Sequence, residues 1–142
     1  MNDEEFDEKQ FPVYISKLQH KIRDEFNQVF EKYNFKAIYI PFICAIRDNP
    51  NGLTLVELQH ILEFNKSHIA RTVKELEERE LLTRVYDKGY KFKYHLVLTE
   101  KCKGIQVYLD KNKNIVRKSF LSKLNDEDLK NLKIILTKLM SD

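Results

Sequence analysis

Few residues in this chain break or cross-link a polypeptide. The 142 residues include three Gly, three Pro, two Cys and no Trp. Cys44 and Cys102 are far apart and outside any CxxC or Cys/His metal-ligand spacing, so the sequence predicts neither a disulfide framework nor a structural zinc site. The scarcity of Gly and Pro, with charged residues at 33%, favours a mainly helical globular protein.

Long hydrophobic runs are missing too. No stretch approaches the ~20 apolar residues that a membrane-spanning helix needs. The first ten residues carry five acids and one base, whereas a secretory signal peptide begins with basic residues. We therefore expect a cytoplasmic protein with no membrane partner. The net charge of the chain is +3 and that of the first ten residues is −4, which leaves +7 on residues 11–142 and makes phosphate-bearing partners candidates.

Catalytic motifs are absent from the sequence. It has no Gly-rich phosphate loop, no GxSxG and no HExxH, so we expect no enzyme and no cofactor. The four histidines fall on four different predicted elements without an i, i+4 pair, and no metal site is expected.

Hydrophobic periodicity predicts three helices in the first half of the chain. Apolar residues recur at three- and four-residue steps over residues 11–33, which is typical of a long amphipathic helix. A second apolar stretch, residues 38–46, ends at the turn formed by residues 48–52. Thr54 with Glu57 three residues later predicts a capping box that opens a short third helix.

The second half adds another helix, a hairpin and two more helices. A helix begins after Asn65, with a buried stripe and a separate polar face. The runs 81–86 and 90–98 are rich in β-branched and aromatic residues and flank a turn at 87–89, which predicts a β-hairpin. A long helix should run from Glu100 to about residue 121. Asn125, followed by three acids, should cap the last helix.

This order of elements is typical of a winged helix-turn-helix protein, in which the helix after the turn enters the DNA major groove. Arg71 on that helix can bind a guanine edge through two hydrogen bonds, and Lys66 and Ser67 can hold phosphates. The candidate DNA-binding residues are Thr54, Asn65, Lys66, Ser67, His68, Arg71, Thr72 and Lys74 on the helices, and Arg84, Lys88, Tyr90, Lys91 and Lys93 on the hairpin.

Three motifs resemble the multiple antibiotic resistance regulator (MarR) family of transcription factors. They are Leu53-Thr54-Leu55-x-Glu57-Leu58, Asn65-Lys66-Ser67-His68-Ile69-x-Arg71-x-Val73-x-x-Leu76-Glu77-x-Arg79-x-Leu81-Leu82, and Leu96-x-Leu98-Thr99-Glu100-Lys101. The resemblance implies a single domain over residues 1–142, with an acidic tail at 1–10, dimerisation helices at 11–35 and 100–142, and a winged helix-turn-helix unit at 36–99. It further implies a homodimeric repressor that binds a pseudo-palindromic operator in double-stranded DNA.

The chain departs from the family pattern at three positions. Glu80 stands where the family usually has Gly after the recognition helix, so we expect no easy left-handed cap there. Lys91 falls where the family has a minor-groove Arg, and lysine lacks the planar fork of arginine. Pro41 lies within the predicted second helix, so that helix either begins near Ile40 or is kinked.

The resemblance also implies a pocket for a small aromatic effector, and its candidate lining residues are His20, Tyr39, Phe42 and Arg47. Cys102 is a candidate redox-sensing thiol, because Lys101, Lys103 and a nearby helix N-terminus would favour its thiolate. Two alternatives stay open. The chain could be a winged-helix module that contacts a partner protein, or a regulator that responds to thiol oxidation.

Overall fold

The computed structural model describes residues 5–90, 92–111 and 120–142. Its helices and strands, in chain order, are α1 (Phe11–Phe30), α2 (Ile40–Arg47), α3 (Leu55–Leu62), α4 (Lys66–Glu78), β1 (Leu82–Tyr86), β2 (Tyr94–Leu98), α5 (Glu100–Lys111) and α6 (Asp126–Met140). Short 3₁₀ turns occupy Glu31–Tyr33, Ala37–Tyr39 and Phe120–Lys123. The predicted class, mainly α with a small β-hairpin, is confirmed. None of the described helices is long and apolar enough to cross a membrane.

The chain divides into two compact units, residues 30–112 and residues 1–29 with 113–142. The first unit holds a core made by α2, α3, α4 and the hairpin. Its most deeply buried apolar side chains are Phe42 and Ile46 of α2, Leu58 of α3, Leu76 of α4 and Leu96 of β2. Burying a side chain of this size stabilises a fold by roughly 1.5–3 kcal/mol, so these contacts fix how α4 sits against its neighbours.

The helix-turn-helix is formed by α3, α4 and the three residues between them. The Thr54 hydroxyl accepts from the Glu57 N–H at 3.1 Å, and the Glu57 carboxylate accepts from the Thr54 N–H at 3.1 Å, which confirms the capping box. Helix α3 ends at Glu63 in the left-handed region, with φ +56°. Asn65 then caps α4, because its side chain accepts from the His68 N–H at 2.7 Å.

Helix α4 ends in a Schellman motif although no glycine is present. Glu80 has φ +60°, and the N–H groups of Leu81 and Glu80 donate to the carbonyls of Leu76 and Glu77 at 2.9 and 3.0 Å. The expectation that Glu80 would not provide a left-handed cap is therefore wrong. Burial of Leu76 and Leu81 and the two hydrogen bonds offset the cost of a left-handed L-residue, about 1–2 kcal/mol.

Helix α2 begins at Ile40 and carries Pro41 in its first turn, where the missing N–H of proline has no intrahelical partner to lose. This confirms the first of the two alternatives for Pro41.

The hairpin pairs β1 with β2 in antiparallel register from Leu82 opposite Leu98 to Tyr86 opposite Tyr94. The segment before α3 joins this sheet through Leu53, whose N–H and carbonyl bond to the carbonyl and N–H of Leu96 at 3.1 and 2.7 Å. Gly52 makes this approach possible, since it has φ +92° and a Cβ there would lie 2.8 Å from the Cβ of His95. The hydrogen bonds between Leu53 and Leu96 therefore join the helix-turn-helix to the hairpin, and they require glycine at position 52.

The second unit contains α1 and α6. Helix α6 begins with the predicted cap, a capping box between Asn125 and Asp128. None of the described side chains in residues 11–28 and 126–140 is buried. The exposed apolar residues of these helices are Val13, Tyr14, Ile15 and Leu18 of α1 and Ile134, Ile135, Leu136, Leu139 and Met140 of α6.

Replacing Gly52 with Ala should lower the free energy of unfolding by about 2–5 kcal/mol, because the left-handed backbone and the contact with His95 both penalise a Cβ. Urea unfolding at one fixed protein concentration would measure this loss.

Two other glycines separate the backbone contribution to this loss from the steric contribution of the contact with His95. Gly89 has φ +85° and open space around it, so Gly89→Ala should lose only about 1–2 kcal/mol, the backbone contribution. Gly104 lies within α5 with nothing near its missing Cβ, and Gly104→Ala should gain about 0.5–1 kcal/mol. Equal losses for Gly52→Ala and Gly89→Ala would contradict the steric argument.

Candidate nucleic-acid interface

The N-terminal half of α4 presents cations to solvent. Lys66, Ser67, Arg71 and Lys74 are exposed. Ser67, Arg71 and Lys74 follow one another at steps of four and three residues and so share one helix face. The cations Lys66, Arg71 and Lys74 form no ion pair with a described residue. These groups are available to an external anion.

Two other predicted contact residues of this region have structural roles. The Asn65 side-chain oxygen accepts from the His68 N–H and from the Ser67 hydroxyl. The His68 ring stacks on Phe64, with ring centroids 4.6 Å apart and an angle of 7° between the planes. His68 therefore packs the turn between α3 and α4, and its Nε2 is buried without a hydrogen-bond partner among the described residues.

Thr72 is 2% exposed, so the prediction that it lies on the polar face of α4 is wrong. It follows Ile69 by three residues and precedes Leu76 by four, which places it on the same buried stripe. Thr54, the remaining predicted helix residue, is half-buried and holds the capping box of α3.

Arg84 of the hairpin is bound to α4. Its Nε and Nη2 donate to the two carboxylate oxygens of Glu77 at 2.8 and 3.1 Å, and its guanidinium lies 4.4 Å from the centre of the Tyr94 ring. The hydrogen bonds that Arg84 donates to Glu77 raise the pKa of Arg84 above its ordinary value. In this structure Arg84 joins β1 to α4.

The tip of the hairpin carries the other predicted contacts. Lys88, Tyr90 and Lys93 are exposed, and the Lys93 ammonium lies 4.7 Å from the centre of the Tyr90 ring. Lys91 lies outside the described residues. Phe92, which was not among the predicted contact residues, is 90% exposed. An aromatic residue between two lysines in a short loop is the sequence pattern from which it could have been predicted.

A network that sequence reasoning also missed holds the other end of α4. The Glu75 carboxylate accepts from the Lys36 ammonium at 2.6 Å and from the Tyr39 hydroxyl at 2.5 Å. Arg79 contacts the same carboxylate and donates to the carbonyl of Asn34. The hydrogen bond from Lys36, followed by that from Tyr39, lowers the pKa of Glu75. The network therefore stabilises the fold at neutral pH and loses strength as the carboxylate is protonated in acid.

The four predicted effector residues lie in different surroundings. Tyr39 and Phe42 are fully buried, Tyr39 against Glu75 and Phe42 against Phe64 and His68, so the prediction that they line a pocket is wrong. Their apolar rings complete the core of residues 30–112. His20 is exposed on α1. Arg47 is exposed at the end of α2, where it lines a cavity of about 170 Å³ with Asn49, Lys103 and Gln106.

Cys102 lies in the first turn of α5 and is fully buried. Its N–H donates to the Thr99 hydroxyl at 3.1 Å. Burial raises the pKa of the Cys102 thiol to about 11, so the expectation of a thiolate favoured by Lys101 and Lys103 is wrong. Both lysines are exposed and donate elsewhere, Lys101 to the Arg79 carbonyl and Lys103 to Glu100.

Comparison with solved structures defines the fold. The complex of S. aureus MepR with DNA matches with a TM-score of 0.76 at 17% identity, over 96% of this chain and 98% of that one. A mutant MarR from E. coli complexed with operator DNA matches with a TM-score of 0.76 at 18% identity, over 96% and 100%. Bordetella bronchiseptica BpsR, whose DNA binding is regulated by 6-hydroxynicotinic acid, matches with a TM-score of 0.76 at 19% identity, over 99% and 100%.

Sequence comparisons add nothing to this result, because no protein-family model and no curated protein matches the chain. The chain therefore has the winged-helix fold of the MarR-family regulators, and the structural match covers nearly all of it.

Cys102 should resist alkylation in the folded chain. At pH 8 a thiol with a pKa of about 11 is ionised in about one molecule in a thousand, and burial excludes the reagent as well. Peptide mapping after iodoacetamide treatment should find Cys102 unmodified in buffer and modified in urea. Rapid labelling of Cys102 in buffer would restore the redox hypothesis.

Proposed function

We propose that this chain is a MarR-family transcriptional regulator that binds double-stranded DNA. The single observation that carries the proposal is the exposed face of Ser67, Arg71 and Lys74 on α4, the helix that winged helix-turn-helix proteins insert into the major groove. The fold match supports it, since two of the matched structures are DNA complexes. No catalytic role is proposed.

Within this interface we assign different roles to the helix and the hairpin. Arg71 reads a base edge, because its guanidinium is exposed and forms no ion pair with a described residue. Lys66 and Ser67 stand at the N-terminus of α4, where the helix dipole favours a phosphate. Lys88 and Lys93 of the hairpin neutralise phosphates. We do not include Thr72 because it is buried. Asn65, His68 and Arg84 hold α4 and the hairpin in position and are not assigned a DNA contact.

We propose that the chain acts as a homodimer on a pseudo-palindromic operator and represses transcription by occupying it. The apolar side chains that α1 and α6 leave exposed support the dimer, because those four residues apart share a helix face and an exposed apolar face marks an interaction surface. Two copies of α4 would then read two half-sites about one DNA turn apart. The terminal helices serve dimerisation in this proposal, and residues 36–99 serve DNA binding.

A protein-interaction module is the alternative, and a gel shift separates the two. The purified chain should retard DNA from its own upstream region at low salt. If it retards no duplex under those conditions, the DNA-binding proposal fails and the exposed surfaces become candidates for a protein partner.

A small aromatic acid is the proposed effector, and the cavity beside Arg47 is its proposed site. A cavity of about 170 Å³ is large enough for one aromatic ring, since ~150 Å³ holds benzene. Arg47 and Lys103 on its lining suit a carboxylate. The regulation of BpsR by 6-hydroxynicotinic acid supports this class of ligand.

Replacing Arg71 with Ala should weaken binding to the preferred operator by ~1–3 kcal/mol and weaken binding to random DNA much less, because a base contact is lost. Lys88→Ala is the matched control, a cation in the hairpin. It should weaken both duplexes alike and lower the salt dependence by about one unit of slope. Fluorescence anisotropy over a salt series measures both effects, and the reverse pattern would exchange the two assigned roles.

Replacing Leu136 with Glu should reduce the dimer fraction, because Leu136 is an exposed apolar residue of α6 and a charge is costly in an apolar interface. Asn131→Glu adds the same charge on the same helix at an exposed polar position and should leave the dimer intact. Light scattering at micromolar protein gives the mass of each variant. A monomeric wild-type chain would contradict the proposed dimer.

Aromatic acids should raise the melting temperature of the wild-type chain if they bind the folded form. Arg47→Ala should abolish this rise, whereas a benzyl alcohol of the same shape should produce none in either protein. An unchanged melting temperature across a panel of such acids would count against the site.

A further inference from the structure

The tip of the hairpin carries an apolar side chain that no described residue covers. Phe92 is 90% exposed, the highest value among the large apolar side chains that the structure describes. The other aromatic rings of this region, those of Tyr86, Tyr90 and Tyr94, have partners. Tyr90 lies under the Lys93 ammonium, and Tyr86 packs on Tyr94 with ring centroids 5.6 Å apart. Phe92 forms no ring contact with a described residue.

The charge around Phe92 is positive. Lys88 and Lys93 are exposed in the same loop, and the acid of the loop, Asp87, lies 3.0 Å from Nδ1 of His95. The tip therefore combines a free apolar ring with cations. The surface that complements it has negative charge at its rim and apolar material inside. The DNA minor groove has this character, since phosphates line its edges and stacked bases lie beneath.

Hydrogen bonds hold the base of the hairpin on which this ring stands. The Asp87 N–H donates to the Lys93 carbonyl at 2.8 Å, which closes the loop. Arg84 ties β1 to Glu77 of α4 through two hydrogen bonds and contacts Tyr94 of β2. A side chain that separates stacked bases needs this kind of support, because unstacking a base step costs free energy.

We propose that Phe92 is an apolar wedge that enters the minor groove, partly unstacks one base step and bends the duplex. The inference rests on the proposed DNA-binding function and adds to it a readout of DNA shape. Pyrimidine–purine steps unstack most easily, so operators should carry such a step beneath each wing. The hairpin then contributes to sequence preference without a hydrogen bond to a base.

The test uses the duplex that the wild-type chain selects from a random-sequence library. Fluorescence energy transfer between dyes at its two ends reports bending, and 2-aminopurine placed at successive steps reports unstacking. Phe92→Ala should abolish both signals and weaken binding to this duplex by about 5- to 150-fold, the range for loss of one base–aromatic contact. Phe92→Leu keeps an apolar wedge and should retain most of the bend.

Two controls isolate the cause. Phe92→Lys adds a cation, so it should keep electrostatic affinity but lose the bend if the apolar ring is what matters. Phe6→Ala removes another exposed aromatic, 67% exposed and outside residues 30–112, and should change neither signal. Unchanged melting temperatures would confirm that the Phe92 variants fold, as expected for an exposed loop residue.

Equal bending and equal 2-aminopurine signals for wild type and Phe92→Ala would overturn the wedge and leave the proposed DNA-binding function standing. If the wild-type chain binds no duplex at low salt, the proposed function fails and the wedge with it. Binding to phosphatidylglycerol vesicles that depends on Phe92, in a chain that binds no DNA, would identify the tip as a membrane contact and overturn the inference.

Discussion

Two carboxylates on one helix join it to its neighbours in the winged-helix unit, residues 30–112. Glu75 and Glu77 lie on the C-terminal half of α4 and point to different partners, Glu75 to Lys36, Tyr39 and Arg79 and Glu77 to Arg84. The first set ties α4 to the segment before α2, and the second ties it to β1. The apolar stripe of α4 fixes the helix against the core, and these charged hydrogen bonds add a specific contact to each neighbour.

The same helix is divided electrostatically along its length. Its N-terminal half carries the cations Lys66, Arg71 and Lys74, which form no ion pair with a described residue. Two of the three acids in its C-terminal half, Glu75 and Glu77, pair with cations of the fold, and Glu78 is exposed. A ligand that approaches the N-terminal half meets uncompensated positive charge together with the positive end of the helix dipole. Because Glu75 and Glu77 are each paired with cations of the fold, they repel a polyanion less than unpaired acids would.

Local sequence signals predicted much of this fold. Capping boxes at Thr54 and Asn125 and the periodicity of the helices depend on residues within one or two turns of each other, so the sequence displays them directly. The burial of Thr72 was also readable, because it lies three residues after Ile69 and four before Leu76 on the buried stripe. The roles of Arg84 and Cys102 depend instead on what another element places nearby. Arg84 meets a carboxylate seven residues away, and Cys102 is covered by the fold despite its lysine neighbours. No spacing rule within β1 or α5 contains that information.

Because α1 and α6 leave apolar faces exposed, the concentration of the protein should determine how much of it is dimeric. In the proposed homodimer, formation of the interface follows mass action, so dilution shifts subunits toward a form whose terminal helices bury no described side chain. Each half-site contact depends on that same association. The occupancy of an operator with two half-sites would then rise more steeply than the total protein concentration. Changes in synthesis or degradation of the protein would therefore change operator occupancy more than they would for a monomer of the same affinity.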